Sequence, residues 1–350
     1  MSNRILILDG YRAVAIGMVL LYHYFARWTP PEHEVSLYPY GSTLSSAFAY
    51  GYLGVHFFFI ISGFVIGMTL NTCKTPFEFV VRRFARLWPA MLACSIITFA
   101  GLSLIPGAPF EARARDLVPG LIFTSPQILN LGLGTDLRWL DGAYWSLFVE
   151  VSFYAWATVL FFVFRGRFGL AFLGLLAASF MPPLLDGTLG SMASIVLVAP
   201  YMPWFCAGIG FYHLHARKDT GIAFLLVALS AAVLVLRAWL DGRVAEVAFG
   251  AVFYAAFLAF VYRPTVVRLF STPGLTVVGE GSYSLYLLHQ FLGVAIIGWL
   301  ADGGGRWTVV YAVAVAAVMV FVAIAIYRFW EVPTKRLILS RMRPQSAVVM

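Results

Sequence analysis

Residues 313–326 read Val313-Ala314-Val315-Ala316-Ala317-Val318-Met319-Val320-Phe321-Val322-Ala323-Ile324-Ala325-Ile326. No polar side chain interrupts the run, so a helix formed from it has no face suited to water. The wider stretch 307–329 is long enough to cross a ~30 Å hydrocarbon core at a rise of ~1.5 Å per residue. Lipid offers no partners to backbone N–H and C=O groups, so a crossing segment must be a helix or a strand of a closed barrel. The alternation of apolar and polar residues that a barrel needs is missing here.

Nine further stretches read in the same way: 6–25, 50–70, 87–105, 145–164, 168–185, 192–213, 221–239, 244–262 and 283–300. Together the ten cover more than half of the 350 residues. The composition of the whole chain agrees: 61% hydrophobic, 17% aromatic, only 11% charged, with a mean hydropathy of +0.86. Soluble domains carry roughly 25% charged residues, so a soluble enzyme is excluded. Disorder is excluded by the same apolar content. The sequence therefore predicts an all-α polytopic membrane protein with about ten transmembrane helices. Residues 1–335 form a single transmembrane domain and 336–350 a short basic cytoplasmic tail. Asp9 and Arg12 interrupt the start of the first apolar stretch, and no small-residue cleavage site follows, so it reads as a retained helix. Cys73, Cys94 and Cys206 lack CxxC spacing and read as small buried hydrophobes. No metal site is expected.

The net charge of +8 is mostly a topology signal. With both termini placed in the cytoplasm, the inner segments hold 15 of the 24 basic residues: Arg4, Lys74, Arg82, Arg83, Arg86, Arg165, Arg167, Arg217, Lys218, Arg263, Arg268, Lys335, Arg336, Arg341 and Arg343. The outer segments hold seven: Arg27, Arg113, Arg115, Arg138, Arg237, Arg243 and Arg306. That asymmetry follows the positive-inside rule. Anionic lipid head groups account for the rest of the charge, and nucleic-acid binding is not indicated. Two outer loops are long, 26–49 and 106–144. They carry Pro30, Pro31, Pro39, Pro106, Pro109, Pro119 and Pro126 and read as partly ordered caps.

Ionisable groups inside spans are costly and mark functional sites. The first span carries Asp9, Arg12 and His23. Arg12 and His23 are separated by 1100° of helical rotation, a remainder of ~20°, so they share a face about 16 Å apart along the axis. His23 falls near the outer end and Arg12 near the cytoplasmic end. Glu150 lies about two turns below the outer surface, at a similar depth to His23. A carboxylate there would orient the imidazole and support its imidazolium form. The second span places His56 near the outer side, with Ser62 and Gly63 as small groups at mid-depth. Tyr283, Tyr286 and His289 recur every third residue and share a stripe, with His289 at mid-membrane. On the cytoplasmic side, Arg83 and Arg86 are three apart at the start of a helix. Their planar donor forks suit phosphate, as does a helix N-terminus.

These residues sit in blocks that resemble the membrane acyltransferase-3 family. Leu8-Asp9-Gly10-Tyr11-Arg12 with His23 resembles its "LDGxRxxA…H" opening. Gly54 to Phe64 is similar to "GVDLFFVLSGF", with His56 standing where Asp is common. Arg83-Phe84-Ala85-Arg86-Leu87-Trp88-Pro89 resembles "RxxRxxP". Trp145-Ser146-Leu147-Phe148-Val149-Glu150 is similar to "WSLxxE", Gly281 to His289 to "iSYslYLxH", and Glu331-Val332-Pro333 to the closing "ExP". The blocks run in order from the first helix to the last.

The resemblance implies a bacterial inner-membrane enzyme that moves an acyl group, usually acetyl, from acyl-CoA to a carbohydrate hydroxyl. Lipopolysaccharide, exopolysaccharide and signalling oligosaccharides are acceptors of this class. The form expected is the one without an added SGNH domain, which favours one-step transfer. In that scheme Arg83, Arg86 and Arg12 hold the nucleotide phosphates. The pantetheine arm passes Ser62 and the Tyr283–His289 stripe. His23, oriented by Glu150, is the base. Trp145, Tyr286 or His289 is the oxyanion donor, with His56 and Tyr283 as further substrate contacts, and an acyl-His intermediate is the other route. Asp9 and Glu331 are expected as structural polar groups. The competing reading is a glycan or lipid transporter without acyl transfer, which would show no CoA dependence.

Overall fold

The computed structural model describes residues 5–28, 42–301 and 307–341. Arg4, Arg306 and Arg343 of the basic tally, Pro30, Pro31 and Pro39 of the first outer loop, and 342–350 of the tail lie outside the described residues. In chain order the principal helices are α1 Leu6–Phe25, α2 Gly54–Leu70, α3 Pro76–Leu104, α4 Trp145–Val163, α5 Phe168–Ala178, α6 Gly187–Val196 and α7 Met202–His215. They continue as α8 Thr220–Leu240, α9 Val244–Tyr262, α10 Pro273–Glu280, α11 Ser282–Leu288, α12 Phe291–Leu300, α13 Thr308–Ile326 and α14 Val332–Ser340. No strand is present among the described residues. The all-α membrane architecture expected from the sequence is the one observed.

Among the described residues, seven helical segments are long and apolar enough to cross a membrane, and α11 with α12, bent by 59°, makes an eighth. The count of ten falls short in two places, 168–185 and 192–213, where α5, α6 and α7 are each too short to span. The interruptions have local causes. Pro182 and Pro183 have no backbone N–H to continue a helix, and Gly187 and Val198 take positive φ values of 54° and 43°. The carbonyls exposed at two of these breaks find one cation. Arg237 of α8 donates to Ser179 O at 2.7 Å and to Ala199 O at 2.5 Å. An arginine read as a loop charge thus satisfies orphan helix-end carbonyls.

The chain forms two compact units. The first comprises 1–22, 47–76 and 146–279. Its centre is α7, in which every residue from Met202 to Leu214 is buried. Burial on all sides explains an all-round apolar helix that does not need to face lipid. Glycines let α2 and α7 approach closely. A Cβ at Gly208 would meet Ile60 O at 2.1 Å, and one at Gly63 would meet Phe205 O at 2.3 Å. This is the small-residue packing of membrane helices. Gly208→Ala should therefore lower stability by at least about 1–3 kcal/mol, the usual cost of overpacking. Gly17→Ala, where nothing lies within 4 Å, should be neutral. Thermal unfolding in detergent checks both.

The second unit comprises 23–46, 77–145 and 280–350. On α13, Val313, Val318 and Phe321 are exposed while Ala312, Val315, Met319 and Ala323 are buried. Exposed apolar side chains of this size along a helix need lipid around them. The segment 106–144 is ordered by a buried carboxylate. Asp116 takes two bonds from Arg113, at 2.6 and 2.9 Å, and one from the Arg138 backbone at 2.9 Å. The bidentate fork is the strong form of this pairing.

Candidate active site

In the second unit, two of the sequence-selected residues meet. His289 Nε2 lies 3.1 Å from His23 Nδ1, although 266 residues separate them. The rings stand at 69° with centroids 4.9 Å apart. His289 is fully buried, and its Nδ1 lies 2.8 Å from the carbonyl oxygen of Tyr286. A carbonyl only accepts, so His289 Nδ1 carries the hydrogen. With the pair uncharged, His289 Nε2 is then the acceptor, and His23 Nδ1 must donate to it. That assignment from the hydrogen-bond network leaves the lone pair on His23 Nε2. When Nε2 takes a proton, the chain of two imidazoles and a carbonyl is already polarised to share the charge. The sequence reading separates the two histidines in depth. The structure sets them side by side, with His289 in the break between α11, which ends at Leu288, and α12.

One earlier segment of the chain meets that helix break on both sides. Asp141, which is fully buried, precedes the turn Gly142–Tyr144 that leads into α4. Its Oδ1 accepts the Ala143 N–H at 2.8 Å and its Oδ2 the Phe291 N–H at 2.7 Å. Phe291 opens α12, so its N–H is one of the donors a helix start leaves unpaired. Tyr286, before the break, donates its OH to Ala143 O at 3.1 Å. Burial pushes the Asp141 carboxyl up to about 7, while the Ala143 and Phe291 N–H groups hold it down. Sequence reasoning missed Asp141. The available signal was an Asp-Gly pair ahead of an apolar helix, the position of an N-cap.

The other selected residues fall as follows. In the first unit, Glu150 Oε1 accepts from Ser62 Oγ at 2.6 Å and from the Tyr154 hydroxyl. Asp9 is buried and Arg12 donates to it at 3.0 Å. His56 stacks on Trp204 at 5.0 Å and on Tyr201 at 6.0 Å. In the second unit, Arg83 is buried with its guanidinium 5.5 Å from the Phe79 ring centroid. Arg86 acts electrostatically on Glu331, whose carboxylate accepts from Ser284. A π-helical turn over Tyr327–Glu331 carries that glutamate inward, a distortion that is frequent at functional sites. Tyr283 donates to Leu87 O at 3.3 Å. Trp145 is half-buried. Two of the three oxyanion candidates, Tyr286 and His289, already spend their donors on backbone carbonyls. Tyr24, the residue after His23, was not selected, yet it is buried and its hydroxyl has no hydrogen-bond partner among the described residues. All three cysteines are free and buried, as expected.

The fold and this site define a polytopic helical membrane protein with a part-buried imidazole pair. Comparison with known proteins agrees and is more specific. The acyltransferase-3 family model, described as an acyltransferase domain, matches residues 5–328. The chain therefore belongs to that family, as its motif blocks imply. A Staphylococcus aureus (strain COL) protein named as an O-acetyltransferase is 22% identical over 94% of this chain and 57% of its own length. An O-acetyl transferase of Shigella phage Sf6 is 35% identical over 26% of this chain and 25% of its own. A membrane-bound transacylase of Komagataeibacter xylinus is 27% identical over 44% and 36%. The chain thus spans little more than half of the staphylococcal relative. No solved structure matches.

Proposed function

We propose that this acyltransferase takes an acetyl group from cytoplasmic acyl-CoA and passes it to a hydroxyl of an exported carbohydrate. Lipopolysaccharide, exopolysaccharide and signalling oligosaccharides are the acceptor classes that fit. The observation that carries the reading is the His23–His289 pair, which leaves the lone pair of a polarised imidazole on His23 Nε2. His23 takes the proton of the sugar hydroxyl, whose oxygen attacks the thioester carbonyl. As the C–S bond breaks, the imidazolium returns that proton to the departing thiolate. Glu150 enters the proposal as the charge that supports the imidazolium, on the argument of depth along the helices. The Ser62 and Tyr154 hydroxyls fix its carboxylate.

The donor's phosphates are negative and its acyl end is not. Arg83 and Arg86 on one turn of α3, with Arg12, are the proposed phosphate holders. Guanidinium forks fit such groups by shape as well as charge. The pantetheine arm follows the Tyr283–Tyr286–His289 stripe.

Membrane fractions given radiolabelled acetyl-CoA and candidate glycans provide the test. Label should move to a glycan only where the protein is present. Glycan movement across the membrane without CoA and without labelling would overturn the reading in favour of transport. The proposed site is an inner membrane with both termini cytoplasmic, supported by the asymmetry of basic residues. Reporter fusions at Met350 and within 106–144 should signal from opposite sides. Matching signals would overturn the span count, and with it the depth arguments on which the acyl-CoA entry rests.

A further inference from the structure

An imidazole pair at 3.1 Å needs both rings held, and a ring near a helix break is held only if the break is. Three contacts converge on this one. Asp141 Oδ2 binds the first N–H after it, that of Phe291. Ala143 O binds the Tyr286 hydroxyl before it. Between these, Gly142 lies against Gln290, where a Cβ would meet Nε2 at 2.5 Å and the Phe291 ring at 2.9 Å. Gln290 is the residue that turns the chain, with ψ −83°. The same Tyr286 supplies the carbonyl that takes the His289 Nδ1 hydrogen. Both sides of His289 are thus tied to three consecutive residues about 150 positions earlier in the chain.

We propose that the Asp141–Ala143 segment clamps the break between α11 and α12, and that Asp141 is a positioning residue which keeps His289 in register with His23. A buried carboxylate that binds two backbone N–H groups cannot be replaced by an amide without loss. Asn presents one oxygen, and its NH₂ would face the second N–H donor. The clamp would then open on the Ala143 or the Phe291 side, and His289 would turn with the backbone. The role in catalysis rests on the acyltransfer reading above, whereas the role in geometry does not.

The test uses full-length protein labelled with ¹⁵N-histidine in nanodiscs, with His→Gln variants to assign the rings. In the wild type, His23 and His289 should both show Nδ1 protonated and Nε2 bare. Asp141→Asn should convert His23 to a mixture of tautomers while helical circular dichroism is unchanged. In the acetyl-CoA assay it should lower kcat by up to about 10²-fold, the cost of a ~1 Å misplacement, and leave the KM for acetyl-CoA unchanged. Should Asp141→Asn fail to yield folded protein, Tyr286→Phe removes the other tie and should shift the same signals. Unchanged tautomers in the folded variant overturn the clamp. A shift in tautomers with no loss of activity, or activity retained in His23→Ala, overturns the acyltransfer role of the pair and leaves the clamp standing.

Discussion

His23→Ala should lower acetyl transfer by about 10²–10⁴-fold, the contribution typical of a histidine base, with expression and CoA binding near normal. The loss should exceed that of either partner. His289→Ala removes the acceptor of the His23 Nδ1 hydrogen and should cost activity through orientation. His289→Gln should retain part of it, since an amide oxygen can accept the same bond. Glu150→Gln should reduce the rate strongly, because the amide keeps the shape and loses the charge. Two hydroxyl donors to one carboxylate oxygen also weaken when that charge goes, as bonds to ions are the stronger class. A quantitative acetylation assay checks the series. If His23→Ala keeps most of its activity, the base must be sought at His289 or His56.

Arg83→Ala combined with Arg86→Ala should weaken CoA binding and leave the fold intact. Each lost charged hydrogen bond costs about 1.5–3 kcal/mol, which is on the order of ten- to a hundredfold in Kd. Calorimetry on the purified double variant measures it, and an unchanged affinity would place the nucleotide elsewhere. Arg→Lys at either position should restore only part of the affinity, since an ammonium lacks the planar fork. Arg83 is buried and packs on Phe79, so the single Arg83→Ala variant needs a thermal-unfolding control. Arg86→Ala does not share that packing but removes a cation that acts on the buried Glu331, so it takes the same control.

The sequence picks out several residues that the structure pairs. Depth singles out Glu150 and small size Ser62, and the two share a hydrogen bond. Asp9 and Arg12 were chosen as intramembrane charges and pair with each other. In each case an ionisable group in an apolar stretch announces itself, because lipid makes an unpartnered one costly. What was not legible is partnership across the chain. Periodicity finds the stripe Tyr283–Tyr286–His289 but not that Tyr286 donates to Ala143 or that His289 meets His23. Nor does a hydropathy window see that 283–300 is two helices. At the break, the Phe291 N–H donates to Asp141 from 150 residues away.

The sequence by itself determined that this is a helical membrane protein of the acyltransferase-3 family, because lipid permits few backbone solutions and the motif blocks run in order along the chain. It also singled out the histidines, since so few ionisable side chains occur within the spans. Only the tertiary structure decided which histidine touches which, which ring nitrogens face each other, and that α5, α6 and α7 are too short to span. The reason is physical. Hydropathy is a local property summed along a helix, whereas a tautomer and a helix break are set by single hydrogen bonds whose partners the fold brings from far away.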